Sequence, residues 1–251
     1  MTDMDERFAK RRLLLVSNSK PHGRDYLDHC EEAIKSFLGP IKTILFFPFA
    51  LKDHDGYAKI ARERFAKMGI ELTSIHTAHP EDVCRFIALA GAFFVGGGNT
   101  FRLLSWLQQC AHDRFHGYVP LDEIRNRLQN GMPYIGTSAG ANVAGPTIMT
   151  TNDMPIVGPK EGFKALNIFP FQINPHYMDP DPSSKHMGET RDTRLKEFHE
   201  ENDTPVIALR EGAWLRVENG VTHLEGTNGA KLFRRGQDPI ELANGPLIIE
   251  S

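Results

Sequence analysis

Ser138 stands in Gly136-Thr137-Ser138-Ala139-Gly140, the G-x-S-x-G spacing in which flanking glycines permit a sharp strand-to-helix turn and lift a serine hydroxyl above a sheet edge. A hydroxyl so placed can attack a carbonyl. The amide of Ala139, opening the helix that follows, can then stabilise the oxyanion. Five small residues also make a plain tight turn, so the chemistry needs partners elsewhere. A second small-residue turn, Gly96-Gly97-Gly98-Asn99-Thr100, either supplies a further oxyanion donor through Gly97 or Gly98 or uses its glycines only to relieve backbone strain. No G-K-[ST] follows it and it does not fit G-x-G-x-x-G, which argues against a nucleotide site.

An activated serine needs a base, normally a histidine oriented by a carboxylate. Of the eleven histidines, His176 is the best placed: in "FQINPHYMD" it follows a strand-like run and a proline, in a loop that presents an imidazole rather than packing it. His112 and His116 are four apart on a polar stretch and lack the glutamate of H-E-x-x-H, so they read as a solvated face. Two carboxylates compete to orient the base. Glu211, in "ALREGAW", ends an apolar strand at a glycine; Asp153, in "TTNDMPIV", has a turn role as its default.

These residues need a frame to bring them together. The first 145 residues alternate short apolar runs with stretches of helical period, the pattern of a parallel sheet with crossover helices. Strand-like runs are expected at 13–19, 43–50, 71–76 and 92–100, and in "PYIGTSAG". Helices are expected near 27–37, 57–65, 81–89, 101–110 and 121–130. Several strands are apolar on both faces, as a sheet covered on each side requires. In a doubly wound sheet the site lies beyond the carboxyl ends of the strands, so the loops "SNSKPHG", "PFALKDHDG", "GGGNT" and "SAGAN" open onto one rim. After residue 145 come loops rich in Pro, Asn and Asp, one helix near 190–201, and a hairpin marked by Asn219-Gly220 between two alternating runs.

Length and composition narrow the function classes. A chain of 251 residues with 40% apolar content buries a core without staples, and one domain over 1–251 is expected, with 1–12 as an N-terminal extension. The net charge of −3 and dispersed basic residues point away from nucleic acid and from anionic membranes. Cys30, Cys84 and Cys110 are widely spaced and read as buried thiols rather than a disulfide framework or metal site. "MTDMDERFAKRR" lacks the apolar region of a signal peptide, and no run approaches the roughly 20 apolar residues of a membrane span. A cytoplasmic location is the expectation.

Taken together, "FVGGGNTF", "YIGTSAGAN", "PTIMTTNDMPIV", "INPHY", "GETR" and "EGAW", in that order along most of the chain, resemble peptidase E, the α-aspartyl dipeptidase family of serine peptidases. The resemblance implies a flavodoxin-like α/β/α sandwich, mostly parallel, like that of class I glutamine amidotransferases. It implies a dipeptidase acting on Asp-Xaa dipeptides through an acyl-enzyme, with no metal or organic cofactor. Ser138 then falls on the nucleophile, His176 on the base, Glu211 on the third member, and the amides of Gly98 and Ala139 on the oxyanion hole. Arg191 of "GETR" falls on the cation that receives the aspartyl side chain, and a guanidinium suits a carboxylate bidentately.

Asn99, on the rim beside Gly98, is expected to bind substrate, as is Asp153 if it meets the substrate amine rather than serving structure. The partners implied are small acidic dipeptides, with the enzyme a monomer or homodimer. The chain order Ser, His, Glu differs from the Ser, Asp/Glu, His order of α/β-hydrolases. Single-residue insertions near "PKEGF" and "PDPSSKHMG" depart from the family pattern, the second beside Arg191. Two other readings are a cyanophycinase-like hydrolase of aspartyl bonds, which shares the G-x-S-A-G elbow, and a non-catalytic binder of small acidic peptides on the same fold.

Overall fold

The first strand, β1 (Arg12–Val16), shows how the layers form. Leu13, Leu14, Leu15 and Val16 are all fully buried, yet alternate residues enter different cores: Leu13 and Leu15 one, Leu14 and Val16 the other. A strand apolar on both faces must be covered on both, and here it is. The computed structural model describes residues 8–109, 120–181, 183 and 188–249.

The alternation recurs in β2 (Thr43–Phe47), β4 (Phe93–Val95) and β5 (Pro133–Thr137). Leu45, Phe47, Phe93, Val95 and Tyr134 face one core, Ile44, Phe46, Phe94 and Ile135 the other. Helices α1 (Glu31–Leu38) and α2 (His54–Lys67) close the second core with Ile34, Phe37, Ala61 and Phe65. Helices α3 (Val83–Leu89), α4 (Thr100–Gln109) and α5 (Pro120–Gln129) close the first with Ile87, Leu103, Leu104, Ile124 and Leu128. The result is the three-layer α/β/α sandwich.

The main sheet has eight strands in the order β12-β9-β8-β1-β5-β4-β2-β3, with β3 at Glu71–Ser74, β8 at Ala213–Glu218, β9 at Val221–Gly226 and β12 at Gly245–Leu247. β1, β5, β4, β2 and β3 pair in parallel, while β8, β9 and β12 extend the sheet antiparallel. The β8–β9 hairpin turns at Asn219 (φ 54°) and Gly220 (φ 74°), the two positive angles of a type I′ turn.

Sequence reading did not anticipate a second sheet, of order β11-β10-β7-β6, built from β6 (Gln172–Tyr177), β7 (Val206–Arg210), β10 (Ala230–Phe233) and β11 (Ile240–Leu242). The chain leaves it after β7 and enters the main sheet at β8 through Glu211-Gly212, so that turn joins the two sheets. Helix α6 (Ala139–Asn142) and helix α7 (Arg191–Glu201) complete the elements that frame the site.

The helix predicted from Leu27 begins only at Glu31, after a 3-10 turn at Asp28–Cys30; Leu27 itself is left-handed (φ 59°) and buried. Cys30 and Cys84 are free thiols; Cys110, His112 and His116 lie outside the described residues. Among the described residues no helix is long and apolar enough to cross a membrane.

Candidate active site

Ser138 sits between β5 and α6 in a conformation that side chains rarely adopt, φ 53° and ψ −111°. Such a residue persists only where its surroundings over-determine it. The two flanking glycines are sterically required: a Cβ on Gly136 would stand 2.4 Å from the Gly140 carbonyl oxygen, and one on Gly140 would stand 2.2 Å from that of Val95. The Ser138 amide donates to the Val16 carbonyl (2.9 Å), while its own carbonyl accepts from Ala141 and Asn142 (2.9 Å each). Turn and presented hydroxyl are one feature.

His176 lies within β6 rather than in the loop expected from sequence. Pairing of β6 with β7 slips between Asn174 and Tyr177, and His176 takes φ 53° at this irregularity. Bulges of this kind re-aim a side chain out of the strand's alternation. The ring then reaches both partners: Nε2 is 2.9 Å from Ser138 Oγ and Nδ1 is 2.7 Å from Glu211 Oε1. Because the ionised Glu211 carboxylate only accepts, the Nδ1 proton belongs to that bond, leaving Nε2 to accept from the serine. His176 and Glu211 retain side-chain exposures of 39% and 47%, so the face they share is open to a small substrate. The arrangement can pass the serine proton to imidazole as Oγ attacks a carbonyl, and return it to a leaving amine.

Two glycines of the turn after β4 lie close to the serine elbow. Gly97 packs directly on Ser138, where an added Cβ would lie 2.9 Å from the serine Cβ. The amide of Gly97 helps hold the buried Tyr57 phenol, whose pKa is raised first by desolvation and eased by hydrogen bonds from Tyr26 and that amide. Gly98 follows at φ 136°. Neither its amide nor that of Ala139 has an acceptor among the described residues.

Asn99 and Asp153 carry structural duties. Asn99 Oδ1 accepts from the Arg102 amide (3.0 Å), as a cap of α4, and its Nδ2 donates to the Met154 carbonyl (2.9 Å). Asp153 Oδ2 accepts from both the amide (2.7 Å) and the hydroxyl (2.6 Å) of Thr100 at the head of α4. Its second oxygen, Oδ1, has no partner among the described residues. The same loop braces β6: Asn152 donates to the Pro175 carbonyl and Asn174 donates to Asn152.

Arg191 opens α7, half-buried, with no hydrogen-bond or ion-pair partner among the described residues. Burial, then the neighbouring Arg194 charge, hold its guanidinium below the usual range, while Asp153 acts the other way. A partly desolvated cation without an acid partner is a ready receptor for an anion. Behind it Tyr177 donates to Asp192, a contact that sequence reading missed and that Tyr177, following His176 directly, could have signalled. Among the described residues no group of three His, Cys, Asp or Glu side chains could hold a metal ion.

The family model for peptidase family S51 matches residues 13–224. Peptidase E of Streptomyces coelicolor is 48% identical over 238 residues, covering 95% of this chain and 93% of that protein. A Drosophila melanogaster protein named "Probable alpha-aspartyl dipeptidase" is 44% identical over 240 residues, covering 94% and 95%. The crystal structure of a peptidase from an acI-B1 actinobacterium superposes with a TM-score of 0.65 at 18% identity, covering 94% of this chain and 95% of that one, a likeness of fold.

Proposed function

This chain belongs to peptidase family S51 and is a serine peptidase, and from that premise we propose that it hydrolyses dipeptides with an N-terminal aspartate, using Ser138, His176 and Glu211. The observation that carries the assignment of residues is the unbroken chain from Ser138 Oγ through His176 to Glu211, at 2.9 and 2.7 Å. The name of the Drosophila relative supports the substrate class, as does Arg191, which has no ion-pair partner among the described residues.

The substrate's aspartyl carboxylate meets Arg191, and its free ammonium meets Oδ1 of Asp153. Ser138 Oγ attacks the aspartyl carbonyl while His176 Nε2 takes the hydroxyl proton and Glu211 holds the imidazolium. The amides of Gly98 and Ala139 receive the oxyanion. Collapse breaks the peptide C–N bond, His176 gives the proton to the departing amine, and an aspartyl-serine ester remains. Water, deprotonated by His176, then releases aspartate and restores the serine. An uncharged first residue gains nothing at Arg191 to offset the guanidinium's desolvation, so selectivity follows from charge. The polymer-cleaving and non-catalytic readings are not favoured, given relatives named for peptidase E over most of their length and three side chains already in register.

The test is hydrolysis of Asp-Leu, Asn-Leu, Glu-Leu and Ala-Leu by the wild type, Ser138→Ala and Arg191→Ala. Ser138→Ala is expected to lose at least about a thousandfold in kcat. Arg191→Ala is expected to reduce the preference for Asp-Leu over Ala-Leu about tenfold to a hundredfold, the worth of a charge-assisted hydrogen bond. Full activity in Ser138→Ala overturns the serine mechanism, and equal wild-type rates on Asp-Leu and Ala-Leu overturn the specificity.

A further inference from the structure

The end of β1 meets the three triad residues one after another. The Val16 carbonyl accepts from the Ser138 amide. Next, the Ser17 hydroxyl accepts from the His176 amide (2.9 Å) and donates to the Leu209 carbonyl (2.9 Å). Then Asn18 Oδ1 accepts from the Gly212 amide (2.9 Å), one residue beyond Glu211. Both side chains are buried, Ser17 at 0% and Asn18 at 1% exposure.

The Ser17 contact fills a specific gap. β6 and β7 pair as Ile173 with Ile207 and Asn174 with Ala208, then slip until Tyr177 meets Arg210. Within that slip Pro175 has no amide to donate, and the His176 amide and the Leu209 carbonyl are joined by a hydroxyl from the residue just past β1 instead of by a ladder bond. That inserted bond holds His176 at φ 53°, a cost that a non-glycine residue does not carry without support. Asn18 is constrained in a related way. The Gly212 amide can only donate, which fixes the orientation of the Asn18 side chain and leaves its Nδ2 a buried donor with no partner among the described residues. A stranded donor is expensive, so the acceptor beside Glu211 is the part of Asn18 that its burial serves.

We infer that Ser17 is a positioning residue that sets the backbone of His176, and that Asn18 does the same for Glu211, so that one dipeptide aligns base and carboxylate with the serine held by Val16. This rests on the serine-peptidase reading of the triad. Neither side chain reaches the substrate, so its removal should misalign the proton path while leaving the Arg191 pocket intact.

The test uses the full chain and Asp-Leu, with kcat, KM and Tm measured for Ser17→Ala, Ser17→Thr, Asn18→Ala, Asn18→Asp and Ser138→Ala. Ser17→Ala is expected to lower kcat about tenfold to a hundredfold with KM within about twofold, the scale of a misplaced reacting group. Ser17→Thr, which keeps the hydroxyl, and Asn18→Asp, which keeps an acceptor for Gly212, should each recover part of what the alanine variant loses. The Asn18 pair carries the same readout should Ser17→Ala not fold. Wild-type kcat in Ser17→Ala overturns the inference, as does a loss shared equally by kcat and KM without rescue, or failure of both alanine variants to fold. An inactive Ser138→Ala beside a fully active Ser17→Ala rejects positioning alone; an active Ser138→Ala rejects the serine reading beneath it.

Discussion

The hydroxyl of Tyr177 donates to Asp192 at 2.5 Å, so the residue following His176 grips the residue following Arg191. Desolvation and this bond push the phenol's pKa well up, while Lys231, donating to the same oxygen, opposes them. His176 and Arg191 are thereby linked through the side chains that follow each of them. Tyr177→Phe is expected to raise KM for Asp-Leu about fivefold, the worth of one net hydrogen bond, with kcat changed less and Ala-Leu cleavage unaffected. Steady-state kinetics on the two dipeptides check this, and a fall confined to kcat would contradict it.

Asp153 separates two roles by substitution. Its Oδ2 caps α4 through Thr100, while Oδ1 has no partner among the described residues. Asp153→Ala should lower Tm by about 2–4 °C, as for a lost cap of about 1 kcal/mol, and raise KM as well. Asp153→Asn keeps an acceptor for Thr100 but not the charge, so Tm should stay near the wild type while KM for Asp-Leu rises. An unchanged KM in the asparagine variant would leave only the cap.

Gly97 and Gly140 differ in what a methyl group would strike. On Gly97 it lies 2.9 Å from Ser138 Cβ and 3.2 Å from the Thr137 carbonyl oxygen, so Gly97→Ala displaces the serine. Activity should fall at least about tenfold in a chain that still folds. On Gly140 it meets the Val95 carbonyl oxygen at 2.2 Å, backbone that cannot yield, and Gly140→Ala should fail to give folded protein. Circular dichroism beside the kinetic assay distinguishes the two outcomes.

How much of this was legible in the sequence depends on the range of the interaction. The elbow at Ser138 is local, since two glycines and the turn they permit lie within five residues. The alternation of apolar runs likewise gave the sandwich and the rim of loops. His176 was legible as a residue but not in its setting: only long-range pairing with β7 makes it a bulged strand residue, although Pro175, unable to donate, was a local hint. Asn99 reads as a rim residue in sequence, yet its amide is taken up by α4 and Met154, partners that only folding brings. The second sheet was invisible because β7 meets β6 across α7 and meets β10 across the β8–β9 hairpin of the main sheet, and no local pattern assigns a strand to one sheet rather than another. Ser17 and Asn18 are short polar residues at a strand end, a common turn composition, and their burial is what distinguishes them.

Acid should expose a different part of the molecule. Arg210, bonding to Asp179 at 2.6 and 2.9 Å, and Lys231, at 2.7 Å, hold the Asp179 carboxyl well below the usual carboxylate range, and Arg210 lowers Glu241 in the same way. A depressed carboxyl contributes stability that is present above its unfolded pKa of about 3.9 and is lost as pH falls toward the folded value. Asp179 is nearly half exposed, so solvent screening keeps the effect modest. Asp179→Asn should lower Tm by a few degrees at pH 7, with the gap to the wild type closing below about pH 4. Thermal melts across that range, repeated at high salt, check the sign and the origin.

β1 is the first strand of the described chain, yet it lies in the middle of the main sheet, flanked by β5 and by β8. Ser17 reaches Leu209 across 192 residues and Asn18 reaches Gly212 across 194. During synthesis the opening strand therefore waits, with one edge unpaired, until the segment near residue 213 has emerged. Over that interval the serine, the histidine and the glutamate have no common anchor. The site is therefore complete only once groups 192 and 194 residues apart have met, contacts of the kind that carry the largest loop-closure cost in folding.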